Sequence, residues 1–236
     1  MERSRIAALL APFVPQPLPS LQVEQIATYL HLLLRWNQRM NLTAIRDPEQ
    51  IVTRHFGESF FAASRLFPSA SAPSSLLVDV GSGAGFPGLA IRIHSRVPVT
   101  LIESTQRKAT FLREVVRALR FDDVEVFAGR SQQYRPHSFC ASLTVTMRAV
   151  ESFEQALSSA VQIASSSQLG NPAPRVPARL ALLVGAGQVD RARQLEPNLR
   201  WEQPISIPQS RARVLLVGSL PRTDETAGMH RISTDG

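Results

Sequence analysis

Lysine is almost missing from this 236-residue chain: Lys108 is the only one, so its 26 basic residues are otherwise arginine. Cysteine is as scarce. Cys140 alone cannot close an intramolecular disulfide, which excludes a small disulfide-stapled domain and fits a reducing compartment. No apolar run approaches the ~20 residues that a membrane-spanning helix needs. Arg3 and Arg5 precede a short apolar stretch, Ile6–Leu10, but Pro12 and Pro15 break it and no small-residue cleavage site follows, so it is not read as a secretory leader. His31, His55, His94, His137 and His230 are scattered, and with one cysteine they form no zinc-type cluster. A G-x-S-x-G elbow, a G-x-x-x-x-G-K-[ST] phosphate loop and an N/D-P-P-Y/F tetrapeptide are all absent. The expectation is a cytoplasmic protein that needs neither metal nor membrane, and a monomer.

What is present is ordinary soluble composition, 44% hydrophobic and 19% charged residues, in a chain long enough for one domain or two. The formal net charge of +7 draws such a protein towards polyanions, of which RNA is one.

Along the chain, residues 11–20 are proline-punctuated and read as irregular. From Leu21, apolar residues recur at helical spacing (Ile26, Tyr29, Leu30, Leu33, Leu34). Asp47-Pro48-Glu49-Gln50 is a helix start, with Asp47 as N-cap, Pro48 at the first helical position and Gln50 placed for a capping box. That helix ends near Phe67-Pro68, which predicts a small helical subdomain over residues 1–68 and a polar linker at Ser69–Ser75. Strands are expected at Leu76–Val78, Val99–Glu103, Val124–Phe127, Phe139–Met147 and Leu180–Val184, with helices between them at helical periodicity. Ser165–Pro177 reads as a loop. Ile205–Ile207 and Val214–Leu220 have no helix pattern between them, so they read as an antiparallel hairpin at the sheet edge. Residues 76–220 thus form the main domain, and residues 221–236 a disordered polar tail. Strands alternating with helices make an α/β fold with a doubly wound, mostly parallel sheet; seven strands are expected, the last of them antiparallel.

The most informative stretch is LLVDVGSGAGFPG, residues 76–88. A buried strand ends in Asp79, and glycines follow at 81, 83, 85 and 88, where the chain must bend sharply and let a ligand approach the backbone. Gly83–Gly88 also fits the dinucleotide spacing G-x-G-x-x-G, so pattern alone leaves NAD open. Asp79 favours S-adenosylmethionine. A carboxylate there can order the loop or receive a cationic amino group, whereas a pyrophosphate at the helix N-terminus is poorly served by an acid. Glu103, at the end of the second strand and about 20 residues past the glycines, is placed to accept both hydroxyls of a ribose. Gly129-Arg130-Ser131-Gln132 lies at the end of the third strand, where an adenine would sit, and Arg148 stands at the tip of the fourth. The terminal hairpin is common in class I methyltransferases and absent from simple NAD domains.

No activated nucleophile and no acid–base constellation remains, so methyl transfer to a group needing little activation fits best. Guanine N7 is such a group, because its lone pair is free at neutral pH and no general base is required. The protein has mainly to align the reactants and stabilise the charge that moves onto the purine.

Six stretches resemble one family in order and spacing: WNQRMNLTAI (36–45), RHFGES (54–59), LLVDVGSGAGFPGLAI (76–91), LIESTQRKATFLREV (101–115), AGRSQQ (128–133) and MRAV (147–150). The chain resembles the RsmG (GidB) family of bacterial 16S rRNA guanine-N7 methyltransferases, with a class I, Rossmann-like fold. The resemblance implies S-adenosyl-L-methionine as cofactor and the 16S rRNA of the 30S subunit, or an assembly intermediate of it, as partner, with guanine 527 of the 530 loop as target. It implies that Gly81, Gly83 and Phe86 line the cofactor pocket, that Glu103, Ser104 and Thr105 hold the ribose side, and that Ser131 and Gln132 flank the adenine. Arg148 reaches the cofactor or the target base. Asn41, His55, Glu58 and Ser59 close the pocket from the helical subdomain, with His55 and Glu58 either catalytic or a buried structural pair. The family usually has aspartate where this chain has Glu58 and serine where it has Met147. Its lysine-glycine pair after the fifth strand is replaced by Val184-Gly185 or Ala186-Gly187. Arg107, Lys108, Arg113, Arg130 and Arg135 can supply phosphate contacts in that lysine's place, since such contacts are tolerant of position. Two alternatives stay open: a related methyltransferase with another substrate, and a cofactor- and RNA-binding protein without turnover.

Overall fold

The computed structural model describes residues 1–68, 75–136, 142–148, 152–167 and 176–221. Cys140, the start of the expected fourth strand, most of the expected linker, the middle of the expected 165–177 loop and nearly all of the expected tail lie outside them.

The chain opens with a short helix α1 (Arg3–Leu10) and a 3-10 turn at Ala11–Phe13. Sequence periodicity did not predict that helix, yet Ile6 and Leu10 are fully buried. Helix α2 (Ser20–Met40) follows and stops where Asn41 takes a left-handed conformation, φ 48°. As expected, Asp47 caps α3 (Pro48–Ile51), its carboxylate accepting the Gln50 N–H at 2.8 Å. The helix then widens into a π-helical turn, Val52–Gly57, before α4 (Glu58–Leu66).

The sheet and its helices run in alternation: β1 (Ser75–Val80), α5 (Gly88–Ser95), β2 (Val99–Glu103), α6 (Gln106–Ala118), β3 (Val124–Ala128), β4 (Ser142–Arg148), α7 (Phe153–Ser167), β5 (Arg179–Gly185), α8 (Val189–Leu195), β6 (Arg200–Trp201), β7 (Ile205–Ser206) and β8 (Arg213–Ser219). Their spatial order is β3-β2-β1-β4-β5-β8-β6, with β7 also on β8. The first five are mutually parallel, and β8 is antiparallel to β5. The hairpin is present, but β8 lies inside the sheet and the edge position beyond it is split. Arg200 and Trp201 pair with Ser219 and Gly218, whereas Ile205 and Ser206 pair with Leu215 and Val214. The register slips by one residue across Glu202–Pro204, where Pro204 has no N–H to donate. The strand expected at Ile205–Ile207 is present as β7, and β6 is an additional one, so the sheet counts eight rather than seven.

Side chains alternate across the sheet, as period-two geometry requires. Leu77, Leu101, Leu183 and Leu215 point to α5, α6 and the N-terminal helices, and Val78, Ile102, Leu182 and Leu216 to the face covered by α7 and α8. The apolar residues of α1–α4 join the first of these clusters. The N-terminal helices thus pack on the same core as α5 and α6.

Candidate functional site

The strand order reverses between β1 and β4, and their carboxyl ends open a crevice of the kind where ligands bind in open α/β sheets. Gly81, Gly83 and Gly85 all have positive φ, at 69°, 56° and 88°. The loop is pinned beneath by the Gly81 and Ser82 N–H groups, which both donate to the Ile102 carbonyl at 3.0 Å. Asp79 is fully buried behind the loop. One of its oxygens accepts the Gly88 N–H at 3.2 Å and the other the Thr146 hydroxyl at 2.9 Å. Of the two roles open to it from sequence, these contacts are those of a loop-ordering group, and Asp79 is not in the cavity wall. Burial pushes its carboxyl up to about 6, although the bonds from Thr146 and Gly88 oppose that shift.

Glu103 joins the glycine loop to the next one. Its carboxylate accepts the Gly83 N–H at 2.9 Å and the Thr105 N–H at 2.8 Å, and it is 5% exposed. Thr105 is the N-cap of α6, but its side chain makes no capping bond. With two amides bound, the carboxylate still has lone pairs for further donors. On the β3 side, the Gln132 side-chain amide donates to Ser159 on α7 at 3.0 Å.

Opposite these groups, the π-helical turn carries His55, and π-helical turns often occur at functional sites. His55 Nε2 lies 2.8 Å from the Thr43 hydroxyl, and its ring stacks on Phe86 with centroids 4.9 Å apart. Phe86 in turn stacks on Tyr29, at 5.2 Å and 3° between planes. Burial, then the positive charge of Arg148 and of two further arginines, lowers the His55 pKa to about 3, so the imidazole is neutral at physiological pH. Of the two alternatives open for His55 and Glu58 from sequence, a pair between them is not formed among the described residues. Glu58 is 3% exposed, and a single oxygen of its carboxylate lies 3.2 Å from Arg148 Nη2 and 2.8 Å from Arg213 Nε. It ties α4 to β4 and β8. Arg148 also donates to the Arg54 carbonyl at 2.7 Å, and burial lowers its pKa to about 10. Ser59 is buried, donating to the His55 carbonyl at 2.6 Å.

These elements enclose a cavity of about 800 Å³. Gly81, Gly83 and Phe86 contribute to its wall from the glycine loop, and Glu103, Ser104 and Thr105 from the end of β2. Ser131, Gln132, Arg148, His55 and Asn41 complete what sequence placed there. Lys108 also lines it, whereas Arg107 and Arg113 are exposed on α6 away from it and Glu58 stands behind Arg148. Arg130 is exposed, and Arg135 is engaged with the Gln132 and Tyr134 carbonyls. Sequence reasoning missed Arg213 and Thr43. Thr43 lies in the WNQRMNLTAI stretch, but nothing local to Arg213 signals its partner 155 residues away. Among the described residues no group of three His, Cys, Asp or Glu could hold a metal ion, and no helix is long and apolar enough to cross a membrane.

The two buried titrating groups make a pH prediction. Between about 3 and 6.5 the unfolded chain binds a proton at His55 that the folded chain refuses, so stability falls as pH drops through that window. Asp79 acts oppositely between 3.8 and about 6, where the folded chain binds the proton more tightly. His55→Asn is expected to remove about 2–4 kcal/mol of the acid-side loss relative to wild type. Urea denaturation from pH 4 to 7 checks this, and parallel curves for the two proteins would show that His55 titrates normally.

Both sequence and fold have recognisable relatives. The family model described as GidB, rRNA small subunit methyltransferase G, matches residues 22–168. A protein of Roseiflexus castenholzii named ribosomal RNA small subunit methyltransferase G is 37% identical over 210 residues, covering 83% of this chain and 82% of that protein. One of the same name from Methylobacillus flagellatus is 41% identical over 122 residues, 51% of this chain and 57% of that protein. Among solved structures, a SAM-dependent methyltransferase from Aquifex aeolicus superposes with a TM-score of 0.52 at 13% identity, over 77% of this chain and 97% of that one. A variant of MtNAS in complex with S-adenosylmethionine gives 0.52 at 13% identity, over 86% and 78%. At such identities the structural likeness speaks for the fold, a Rossmann-like methyltransferase fold.

Proposed function

Since this chain belongs to the GidB family, rRNA small subunit methyltransferase G, we propose that it transfers a methyl group from S-adenosyl-L-methionine to a guanine N7 of 16S rRNA, at nucleotide 527 in the 530 loop. The observation that carries this reading is the strand-end cavity, with the glycine loop and Glu103 on one side and Arg148 and His55 on the other.

The residues present suit the cofactor. A side chain added at Gly83 would meet only the Gly81 carbonyl, at 3.8 Å, so that face of the loop is open. Arg148 Nε is a buried donor with no partner among the described residues. In this reading Gly81, Gly83 and Phe86 line the cofactor pocket, Glu103 with Ser104 and Thr105 takes the ribose hydroxyls, and Ser131 and Gln132 flank the adenine. When bound, the cofactor supplies a methyl group on a sulfonium, an electrophile with an excellent leaving group.

The chain's own part is alignment and electrostatics. Arg148 orients an acceptor oxygen of cofactor or base through charge-assisted hydrogen bonds. Its pairing with Glu58 offsets its charge beside a purine that becomes cationic on methylation. His55 is too weak a base to take a proton at neutral pH, Asp79 is walled off behind the glycine loop, and Glu58 is engaged by two arginines. A nucleophile that brings a free lone pair, as N7 does, needs none of them.

Arg148→Ala is expected to lower methyl transfer to 30S subunits at least tenfold, by about 1.4 kcal/mol or more in activation free energy. Near wild-type turnover would remove Arg148 from the site. Glu103→Ala is expected to raise the Kd for S-adenosylmethionine about tenfold or more while changing kcat less; a fall in kcat at unchanged Kd would argue against the ribose assignment. Titrating the purified protein with cofactor and assaying transfer to 30S subunits tests the function directly. Transfer to a small molecule or protein but not to rRNA would favour a related methyltransferase with another substrate. Binding of cofactor and RNA without any transfer would favour a protein without turnover.

A further inference from the structure

Behind Glu58, beyond the main cavity, a second hollow of about 240 Å³ lies between the π-helical turn and the tip of the β7–β8 hairpin. Thr53, Arg54 and Glu58 line it from the helical side, and Ser210 and Arg211 from the hairpin. Arg54 lines both this hollow and the main cavity. The hairpin tip is held by its own bonds: Ile207 N–H donates to the Arg213 carbonyl at 3.1 Å, and Ser210 N–H to the Ile207 carbonyl at 3.2 Å. The Ser210 hydroxyl oxygen accepts the Arg213 N–H at 3.1 Å, which leaves its own proton to donate.

The charge around this hollow does not balance. The single carboxylate of Glu58 is already shared between Arg148 and Arg213. Arg54 and Arg211 are both exposed, and among the described residues no carboxylate pairs with either side chain. The hollow is thus lined by two arginines and by one carboxylate already shared with two others, and the surplus of positive charge and N–H donors calls for an anion with several acceptor oxygens. Because Arg54 borders both spaces, a ligand that fills them together passes over it. A nucleotide has that shape, with a base for one space and a backbone phosphate for the other.

Resting on the function proposed above, we propose that this hollow holds a backbone phosphate of the RNA strand whose guanine enters the main cavity, bound by Arg211 and Arg54 with the Ser210 hydroxyl. The contact sets where the strand crosses the protein and carries no sequence information itself.

The test compares wild type, Arg211→Gln, Arg211→Lys and the double variant Arg54→Gln/Arg211→Gln in methyl transfer to 30S subunits. KM for the subunit is measured at several salt concentrations, with cofactor Kd measured alongside. Both arginine side chains are exposed and have no ion-pair partner among the described residues, so the variants should fold as wild type does. Arg211→Gln is expected to raise KM about fivefold and the double variant further, and the log–log dependence of binding on salt should become shallower by about 0.7 for the lost phosphate. Arg211→Lys should recover most of the affinity, since a phosphate needs the charge more than the fork. Cofactor Kd should stay within twofold in Arg211→Gln. A wild type that methylates 30S subunits beside a double variant with the same KM and salt slope would overturn this inference alone. A wild type that methylates no rRNA would overturn the function on which it rests. Inorganic phosphate at millimolar concentration should compete with the subunit in wild type and not in the double variant. Equal inhibition of both would place the anion elsewhere.

Discussion

Replacing Glu58 with alanine is expected to destabilise the protein by about 3–5 kcal/mol, because removing one partner of a buried ion pair strands the other. Here two cations are stranded. Arg148 is 7% exposed and Arg213 20%, and the carboxylate between them is the ion-pair partner of both. Both bonds also cross between layers, joining the first residue of α4 to the end of β4 and the start of β8. Methyl transfer should fall with stability, since Arg148 loses the group that holds it. Glu58→Asp shortens the reach and is expected to cost about 1–2 kcal/mol, retaining one of the two contacts. Urea denaturation reads both effects, and a loss below about 1 kcal/mol for Glu58→Ala would mean that water already solvates the two guanidinium groups.

The second large effect is expected at Gly85. Its φ of 88° is open to glycine and strained for alanine. An added Cβ would also overlap the Tyr29 hydroxyl and stand 2.8 Å from Leu89 Cδ1. Tyr29 cannot yield cheaply. It is fully buried, donates to the Ala84 carbonyl, stacks on Phe86 and meets Phe56 edge-on at 5.1 Å. Burial holds its phenol pKa well above the usual value, so it remains a donor. Gly85→Ala is therefore expected to cost about 3–4 kcal/mol and to weaken cofactor binding at least tenfold, as the loop and the α2 side chain beneath it move apart. Gly187→Ala serves as the control, because nothing lies within 4 Å of a Cβ there. Equal stability of the two variants would show that the glycine loop tolerates another conformation.

What sequence could reveal was whatever depends on neighbours in the chain. Asp47-Pro48 announces its own helix start, four glycines announce a bent loop, and Glu103 stands at the end of a short apolar strand. The π-helical turn was not legible. Nothing in its local pattern marks it, and its Gly57 packs on a residue distant in the chain: a Cβ there would lie 2.7 Å from the Phe13 ring. The role of Asp79 was legible only in part. A carboxylate at a strand end can face the ligand or the loop, and only the positions of Thr146 and Gly88 show that it faces the loop. The partners of Glu58 come from β4 and β8, so neither spacing nor periodicity could pair them. Strand β6 was hidden for a simpler reason. Two residues, Arg200 and Trp201, carry too little periodicity to read, although Pro204 marks the break before β7.

Asp79, Glu103 and Tyr29 fix the shape of the glycine-loop side of the cavity, and Glu58 fixes Arg148 on the side opposite. This division explains why stability and activity are expected to fall together at Glu58 and Gly85 but to separate at Arg211. The most direct measurement is nucleoside mass mapping of 16S rRNA, taken from 30S subunits that lack the modification and have been incubated with purified protein and S-adenosylmethionine. One new methyl group on guanine N7, at nucleotide 527, is the expected result. Unmodified rRNA, or a methyl group on any other atom or molecule, would contradict it.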